Sequence, residues 1–354
     1  MGRAFGETCR DAIREFYAIR CGIAIDQAWT YGKQRVSESD VIRVAEACIE
    51  PIQAHHADGH AEMAGIATGA NLSLAEVVAL NGLTDIRDVL AWKGDLESLG
   101  GCSAFIAQGD STRDGGLVCG QTWDLATSNM PYVLGVHRKP SEGPETWSLT
   151  TAGCLSLIGM NEHGISVGTT NVRTMDAQIG VPYLSIIHKA LSVEDFEDAV
   201  AAAVDVQRTS GHYFYIADAQ GSAAAIESTG TRVFREDVES GVHVHCNHCL
   251  ISENAKHEGL APTSSTLTRT DRLRSLLEDS RGDFDIEIAK RALSDEENEL
   301  DAICRDDTNG VSSNGAVVMV PRQRTIHACH GLPSRAKWID LRTEMPVYSP
   351  VDDA

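Results

Sequence analysis

Hydrophobic positions follow one period in the first part of this chain and another in the rest, and the change comes at Gly100-Gly101. From Phe5 to Arg20 the apolar residues Ala12, Ile13, Phe16, Tyr17 and Ile19 recur at helical spacing. Val41 to His56 repeats the pattern with Val41, Val44, Ala45, Cys48 and Ile49, and Ser39 and Asp40 stand where an N-cap belongs. Glu62 to Ala70 is a run of small residues, and Ser73 with Glu76 makes a capping box ahead of a helix reaching Asn81. The segment before Gly101 therefore reads as helical, packing over a sheet.

After Gly101 the runs are short and β-prone. Ser103 to Ala107 and Leu117 to Gly120 flank a turn-rich stretch, Gly109 to Gly116, as in a hairpin. Trp147 to Thr151, Leu155 to Gly159 and Ile165 to Thr170 are strand candidates, the last following the turn Asn161-Glu-His-Gly164. Helices are predicted over Tyr183 to Leu191 and, with Ser192 as cap, Val193 to Val204. Tyr213 to Asp218 and Ala223 to Ser228 pair as a hairpin, and Arg232 to Phe234 and Val242 to Cys246 are further strands. A polar loop, Glu253 to Thr263, precedes a basic-faced helix over Thr268 to Glu278 with Arg269, Arg272 and Arg274. A helix over Phe284 to Leu293 and strands over Ala316 to Pro321, Thr325 to Cys329 and Trp338 to Asp340 close the chain. Helices first, then antiparallel strands broken by helices, without repeat or linker, imply one layered α+β domain.

Composition narrows the class without changing that picture. A formal net charge of -21 over 354 residues argues against nucleic-acid binding and against docking on anionic membranes. The N-terminal Met1-Gly-Arg-Ala-Phe-Gly-Glu lacks a signal-peptide core, and Pro350-Val-Asp-Asp-Ala carries no lipidation or peroxisomal signal. Ten cysteines without regular spacing read as reduced thiols, so the expected location is the cytoplasm.

Three stretches could carry chemistry. In the first, Gly101 precedes Cys102, which opens a strand. A thiol needs a base or a cation to become a nucleophile, and no histidine is near Cys102 in the sequence. Cleavage between Gly101 and Cys102 would supply one, an α-amine whose ordinary pKa of about 7.7–8.0 suits a base. Taken alone, the pair describes a core cysteine at a strand start better than a nucleophile. The second stretch is His243-Val-His-Cys-Asn-His-Cys249. Strand alternation puts His243, His245, Asn247 and Cys249 on one face and Cys246 and His248 on the other, which splits a metal set. The other reading gives Asn247 an oxyanion to stabilise. In the third, Asp295-Glu-Glu-Asn-Glu-Leu-Asp-Ala-Ile-Cys-Arg305, Arg305 either lies on a solvated face, binds a substrate carboxylate or holds the active-site electrostatics.

Together these pieces resemble the acyl-coenzyme A:6-aminopenicillanic acid acyltransferase (penicillin acyltransferase) family of N-terminal nucleophile hydrolases. Glu62-Met-Ala-Gly-Ile-Ala-Thr-Gly-Ala-Asn with Glu76-Val-Val-Ala-Leu-Asn81 resembles its pre-cleavage helical segment. Gly101-Cys102 sits where the family cleaves itself, and Gly120-Gln-Thr-Trp-Asp124 is similar to its Gly-Gln-Asn-Trp-Asp. Gly159-Met-Asn-Glu-His-Gly-Ile-Ser-Val-Gly resembles a strand-turn shared with choloylglycine hydrolases. Val244-His-Cys-Asn-His-Cys-Leu250 is similar to Val-His-Thr-Asn-His-Cys-Leu, and Asp295-Glu-Glu-Asn with Ile303-Cys-Arg305 to the acidic run and terminal arginine. Thr122 departs from the family asparagine, Ser103-Ala104 depart from two threonines, and the chain starts near the family's first helix, so an initial strand is expected to be missing.

The resemblance implies a four-layer αββα sandwich. Residues 1–101 would form a helical pro-segment, or α chain after cleavage, and residues 102–354 the β chain, folded together as one domain. Cys102 is implied as nucleophile and, through its α-amine, base. Asp124 would hold that amine or orient the thiol, Asn247 would supply the oxyanion hole, and Thr122 and Asn171 would add polar contacts to substrate or oxyanion. Arg305 would tune the charge beside the nucleophile. The expected activity is a self-processing amidohydrolase or acyltransferase that cleaves a linear amide of a small N-acyl substrate through a thioester, with no cofactor and no metal. Homo-oligomerisation is left open. The alternatives are a metal-dependent hydrolase using His243, His245 and His248, and a non-catalytic binding protein on the same fold.

Overall fold

In the computed structural model residues 1–91, 101–258, 261–307 and 309–346 are described. Helices α1 (Gly2–Thr8), α2 (Arg10–Gly32), α3 (Glu38–His55), α4 (Ala57–Ala70), α5 (Leu74–Asn81) and α6 (Leu83–Ala91) come before the first strand. The helical period does not stop at Arg20, because Cys21, Ala24 and Ala28 continue the buried stripe of Phe16 and Tyr17 down α2. Helix α3 is capped by Ser37 and not by Ser39 or Asp40. Asp40 is the reciprocating partner at the third position, its carboxylate accepting from the Ser37 backbone N–H at 2.7 Å. The small-residue run is itself a helix, α4, and its composition has a packing reason. Backbone meets backbone where α1 crosses it: a Cβ on Gly69 would lie 2.3 Å from the Arg3 carbonyl oxygen, and one on Gly6 would lie 2.4 Å from that of Ile66. The Ser73–Glu76 capping box of α5 is present as expected.

The strands are β1 (Ala104–Gln108), β2 (Val118–Ala126), β3 (Val133–Arg138), β4 (Thr146–Thr151), β5 (Ile158–Asn161), β6 (Ser166–Asn171), β7 (His212–Ala217), β8 (Ala223–Ser228), β9 (Val233–Asp237), β10 (Gly241–His245), β11 (Val311–Val320), β12 (Thr325–His330) and β13 (Ile339–Asp340). Strand β3, short and placed just after Pro131, is an element that period-two patterning missed. One sheet runs β10-β1-β2-β11-β12-β13 and the other β3 through β9 in sequence order, with every pairing antiparallel. Asn161 builds the predicted turn, its side-chain oxygen accepting from the N–H groups of His163 and Ile165 at 3.0 Å each, and Gly164 follows at φ +91. The outermost β9 is largely exposed and carries Arg235, Glu236 and Asp237, charges that discourage edge-to-edge pairing.

Helices α7 (Tyr183–Leu191) and α8 (Phe196–Val204) cover the seven-stranded sheet, and α10 (Ser264–Glu278) and α11 (Ile286–Leu293) cover the six-stranded one, after a single turn of helix, α9 (Ser252–Ala255). The cap of α8 is Asp195, which accepts from Glu197 N–H at 2.8 Å; the Ser192 hydroxyl donates to the Lys189 carbonyl instead. Alternation along β1 feeds two cores. Ala104 and Ile106 point into the core between the sheets, whereas Phe105 and Ala107 join Leu273, Leu277 and Phe284 under α10 and α11. The result is the four-layer αββα order, with the N-terminal helices sharing the inter-sheet core. The ten cysteines are free and buried. No single helix among the described residues is long and apolar enough to cross a membrane.

The α1–α4 contact leaves no room for a side chain. Gly69→Ala is expected to lower stability by about 1–3 kcal/mol, the scale of overpacking, as read from the denaturation midpoint. A midpoint equal to wild type would show that the helices can separate freely.

Candidate active site

Gly101 and Cys102 lie at the entry to β1, a strand paired on both sides. Gly101, Cys102, Asp124, Asn171 and Asn247 line one cleft together with Thr84, Arg87, Trp123, Tyr183 and His212. These come from distant parts of the chain: Asp124 from β2, Asn171 from the end of β6 in the facing sheet, and Asn247 from the turn after β10. The two sheets are tied here by Gln121, whose side chain donates to the Thr169 carbonyl and accepts from the Thr169 N–H, both at 2.7 Å.

Arg269, read from the sequence as part of a basic face, is one of the largest fully buried side chains and the hub of the site. Its guanidinium donates to the Cys102 carbonyl at 2.7 Å, the Ser103 hydroxyl at 3.1 Å and the Asn247 side-chain oxygen at 3.0 Å. Its Nε donates to the Ser265 hydroxyl at 3.2 Å. The contact settles the orientation of Asn247: because arginine only donates, the amide oxygen must face it, and the amide nitrogen donates to the Asn171 carbonyl at 2.9 Å. The guanidinium also packs against Gly101, where a Cβ would come within 2.3 Å of it. A sequence signal for its burial exists, since Arg269 falls on the stripe of Thr266, Thr270, Leu273 and Leu277 that α10 turns inward.

Asp124 is buried and receives hydrogen bonds from Ser313 at 2.7 Å and Thr122 at 3.2 Å. Burial pushes its carboxyl up to about 6, against the pull of Arg269, the Ser313 bond and Arg305. Thr122 is a relay behind the wall: it also accepts the Ser103 N–H at 3.1 Å and does not line the cleft. Nor does Arg305 line it. Its backbone N–H donates to Ser313 at 3.0 Å, its guanidinium donates to the Leu300 carbonyl at 3.1 Å, and burial lowers its pKa while the Asp124 charge opposes that. The Cys102 thiol is pushed up to about 12, by burial first and the Asp124 charge second; its sulfur stands 4.0 Å from the Asp124 carbonyl oxygen. That shift applies to the thiol with Cys102 still joined to Gly101.

The histidine-rich stretch does not keep strand alternation beyond His245, where β10 ends. His245 stacks on Tyr213 at 4.0 Å, shares a hydrogen bond with Thr170 at 2.9 Å and faces Glu227 at 3.3 Å. His243 stacks on the same Tyr213 at a ring distance of 5.7 Å, and His248 bonds Thr266 at 3.0 Å. Burial lowers His243 and His248 to about 4, so both are neutral at neutral pH. Among the described residues no three or more His, Cys, Asp or Glu side chains are grouped as a metal would require. The same Thr266 hydroxyl accepts the Asn247 backbone N–H at 2.8 Å, so this stretch braces the Asn247 turn.

Sequence reading also missed α6, which docks in the site. Asp85 accepts from the Tyr183 N–H at 2.8 Å and pairs with His212 at 2.7 Å. Asp88 pairs with Arg87 at 2.6 Å and accepts from Ser210 at 2.6 Å.

The sequence matches the family model described as acyl-coenzyme A:6-aminopenicillanic acid acyl-transferase over residues 111–335, a span that starts after Cys102 and includes Asp124, Asn171, Asn247, Arg269 and Arg305. The acyl-coenzyme A:6-aminopenicillanic-acid-acyltransferase 40 kDa form of Emericella nidulans is 23% identical over 277 residues, 78% of this chain and 74% of that protein. An uncharacterized protein of Archaeoglobus fulgidus is 23% identical over 274 residues, 66% of this chain and 45% of that protein. Among solved structures, a mutant of conjugated bile acid hydrolase from Clostridium perfringens has a TM-score of 0.48 at 11% identity, covering 69% of this chain and 93% of its own. Penicillin V acylase from Agrobacterium tumefaciens has a TM-score of 0.45 at 14% identity, covering 68% and 87%.

Removing the hub strands buried acceptors. Arg269→Met is expected to destabilise the fold by about 2–4 kcal/mol in urea denaturation, and Arg269→Lys by less, because lysine keeps the charge without the fork. An unmoved midpoint for Arg269→Met would contradict the hub.

Proposed function

The chain belongs to the acyl-coenzyme A:6-aminopenicillanic acid acyltransferase family, and we propose that it is an amide-cleaving or acyl-transferring enzyme that activates itself by cutting Gly101–Cys102. The observation that carries this reading is the single cleft lined by Gly101, Cys102, Asp124, Asn171 and Asn247.

Self-cleavage starts with the Cys102 sulfur attacking the Gly101 carbonyl carbon. The C–N bond breaks as the C–S bond forms, and the thiol proton ends on the departing nitrogen. Water then hydrolyses the thioester, leaving a Gly101 carboxylate, the thiol, and a free Cys102 α-amine. Electrostatics favours this order. With its pKa pushed up to about 12, the uncut thiol is protonated at neutral pH. The new α-amine beside it, with a pKa near neutrality, can accept the thiol proton, and the ammonium so formed reverses the sign of the local field.

In the processed enzyme the thiolate adds to the carbonyl of a small N-acyl amide. The Asn247 amide N–H, aimed by Arg269, stabilises the oxyanion, and the leaving amine takes its proton from the Cys102 ammonium. Water releases the acyl group as an acid, or an acceptor amine takes it as a new amide. Asp124, held by Ser313 and Thr122, anchors the ammonium. The chain before the cut stays part of the molecule as an α fragment, because Thr84 and Arg87 line the cleft.

Denaturing electrophoresis of the purified wild type is expected to give fragments meeting at Gly101/Cys102, with Cys102→Ala whole and inactive; an intact, fully active wild type would overturn the reading. Gly101→Ala is expected to slow processing at least about tenfold by pushing Arg269 off the Cys102 carbonyl, the scale of one charge-assisted hydrogen bond. Processing should also slow as pH falls through about 6, where the Asp124 carboxyl takes up a proton, and Asp124→Asn should abolish that limb. A pH-independent rate in wild type would remove Asp124 from the step.

A further inference from the structure

Arg20 has no role in the chemistry described so far, and its surroundings are unusual for an arginine. It lies on α2, is only 7% exposed, and donates a hydrogen bond to no described residue. The titratable groups facing it are Tyr183, Cys154 and Arg87, with no carboxylate among them. Among the described residues its ring contact is the face of Phe16, 6.0 Å away. Arginine is rarely buried without an acid or an array of oxygens to receive its protons. Arg269, still more deeply buried, has four such acceptors; Arg20 has none among the described residues.

The space around Arg20 explains where an acceptor would come from. On one side it shares a pocket with Trp123, Leu157 and Tyr183, and on the other with Thr84, Arg87 and Leu125. All six of those neighbours also line the cleft of Cys102. Ile23, Ala24 and Gln27 continue the same face of α2 along the second pocket. Arg87 is already neutralised by Asp88 at 2.6 Å and bonded to Gln27 and Asn171. Among the described residues Arg20 is thus a positive charge with neither a carboxylate nor a hydrogen-bond acceptor, packed behind side chains that line the cleft of Cys102.

We infer that Arg20 is the recognition group for a carboxylate on the substrate, so that the preferred amide carries one negative charge held by α2 while its carbonyl meets Cys102. The inference rests on the amide-cleaving reading of Cys102 and adds the substrate class. A carboxylate would neutralise the Arg20 guanidinium, which has no acceptor among the described residues, and the planar fork fits a carboxylate two-pronged. The carboxylate can belong to the amine half of the amide, as in an N-acyl amino acid, or to the acyl half, as in a dicarboxylic monoamide.

The test measures binding, apart from turnover, on the full-length protein. Two matched pairs are titrated calorimetrically: N-phenylacetylglycine against its glycinamide, and N-glutarylaniline against N-pentanoylaniline. In one pair the carboxylate is expected to bind at least about tenfold more tightly than its neutral twin, the scale of one charge-assisted hydrogen bond, and that pair identifies the half that carries the charge. Arg20→Met should erase the gap while binding the neutral twin as wild type does, and Arg20→Lys should restore part of it. Because Arg20 has no internal partner among the described residues, Arg20→Met should melt at the wild-type temperature or above, which a structural role would not allow. Equal binding of both members in both pairs, or a gap that survives in Arg20→Met, would overturn the inference. A carboxylate preference in a chain that neither cuts itself nor cleaves amides would keep the subsite and sink the enzymatic reading.

Discussion

A guanidinium sealed from water has to be given acceptors, and Arg269 takes its acceptors from the segments around the cleft. The Cys102 carbonyl, the Ser103 hydroxyl and the Asn247 side chain converge on it from separate parts of the chain. Each bond is modest by itself, but breaking any one leaves a buried charge short of a partner, so the set behaves as a unit. Two further features depend on it. Asn247 has only one orientation, and position 101 has room for hydrogen and nothing larger. The strand entry, the amide on the β10 turn and the glycine are therefore one arrangement seen from three places.

Around this unit the site is built from both sides of Gly101. Helix α6 inserts Asp85 and Asp88 against β7 and the segment leading into it, each carboxylate paired with a buried cation or histidine and a second donor. Such groups tolerate burial because both oxygens of each carboxylate have a donor. Charge balance in the cleft is local as well: Asp124 lies within the influence of Arg269 and Arg305, yet burial still dominates its proton affinity. The Gln121 bridge keeps this balance constant by fixing the separation of the sheets where they meet the cleft.

Much of this was legible from residue types and spacing. Long amphipathic helices, the Ser73 capping box, the Asn161–Gly164 turn and the pairing of β7 with β8 all carry local signals, and local signals decide them. The failures share a cause, which is that tertiary contact overrode local preference. Glu62 to Ala70 looked like a neutral small-residue stretch because its purpose is to let another backbone approach. Strand β3 has little pattern of its own and is held by β4. The caps of α3 and α8 moved because neighbouring serines and aspartates compete for the same N–H groups. Arg269 was hidden for a different reason. Charge on a helix normally means solvent, and only the company of Leu273 and Leu277 on its stripe marks it as buried. The residues gathered in the cleft were found through a family pattern, since Cys102, Asp124, Asn171 and Asn247 are far apart in sequence and nothing local links them.

Strand β1 is hydrogen-bonded along both edges, with Ala104 opposite His245 on one side and Gln121 on the other. Chain ends ordinarily fray, because a terminal residue gains conformational freedom that nothing offsets. A terminus created at Cys102 would begin two residues before a doubly anchored strand, and the Cys102 carbonyl is itself gripped. Its amine would inherit the rigidity of the sheet interior. The entropy of ordering such a group is thus spent once, during folding, and does not have to be met again at each catalytic cycle.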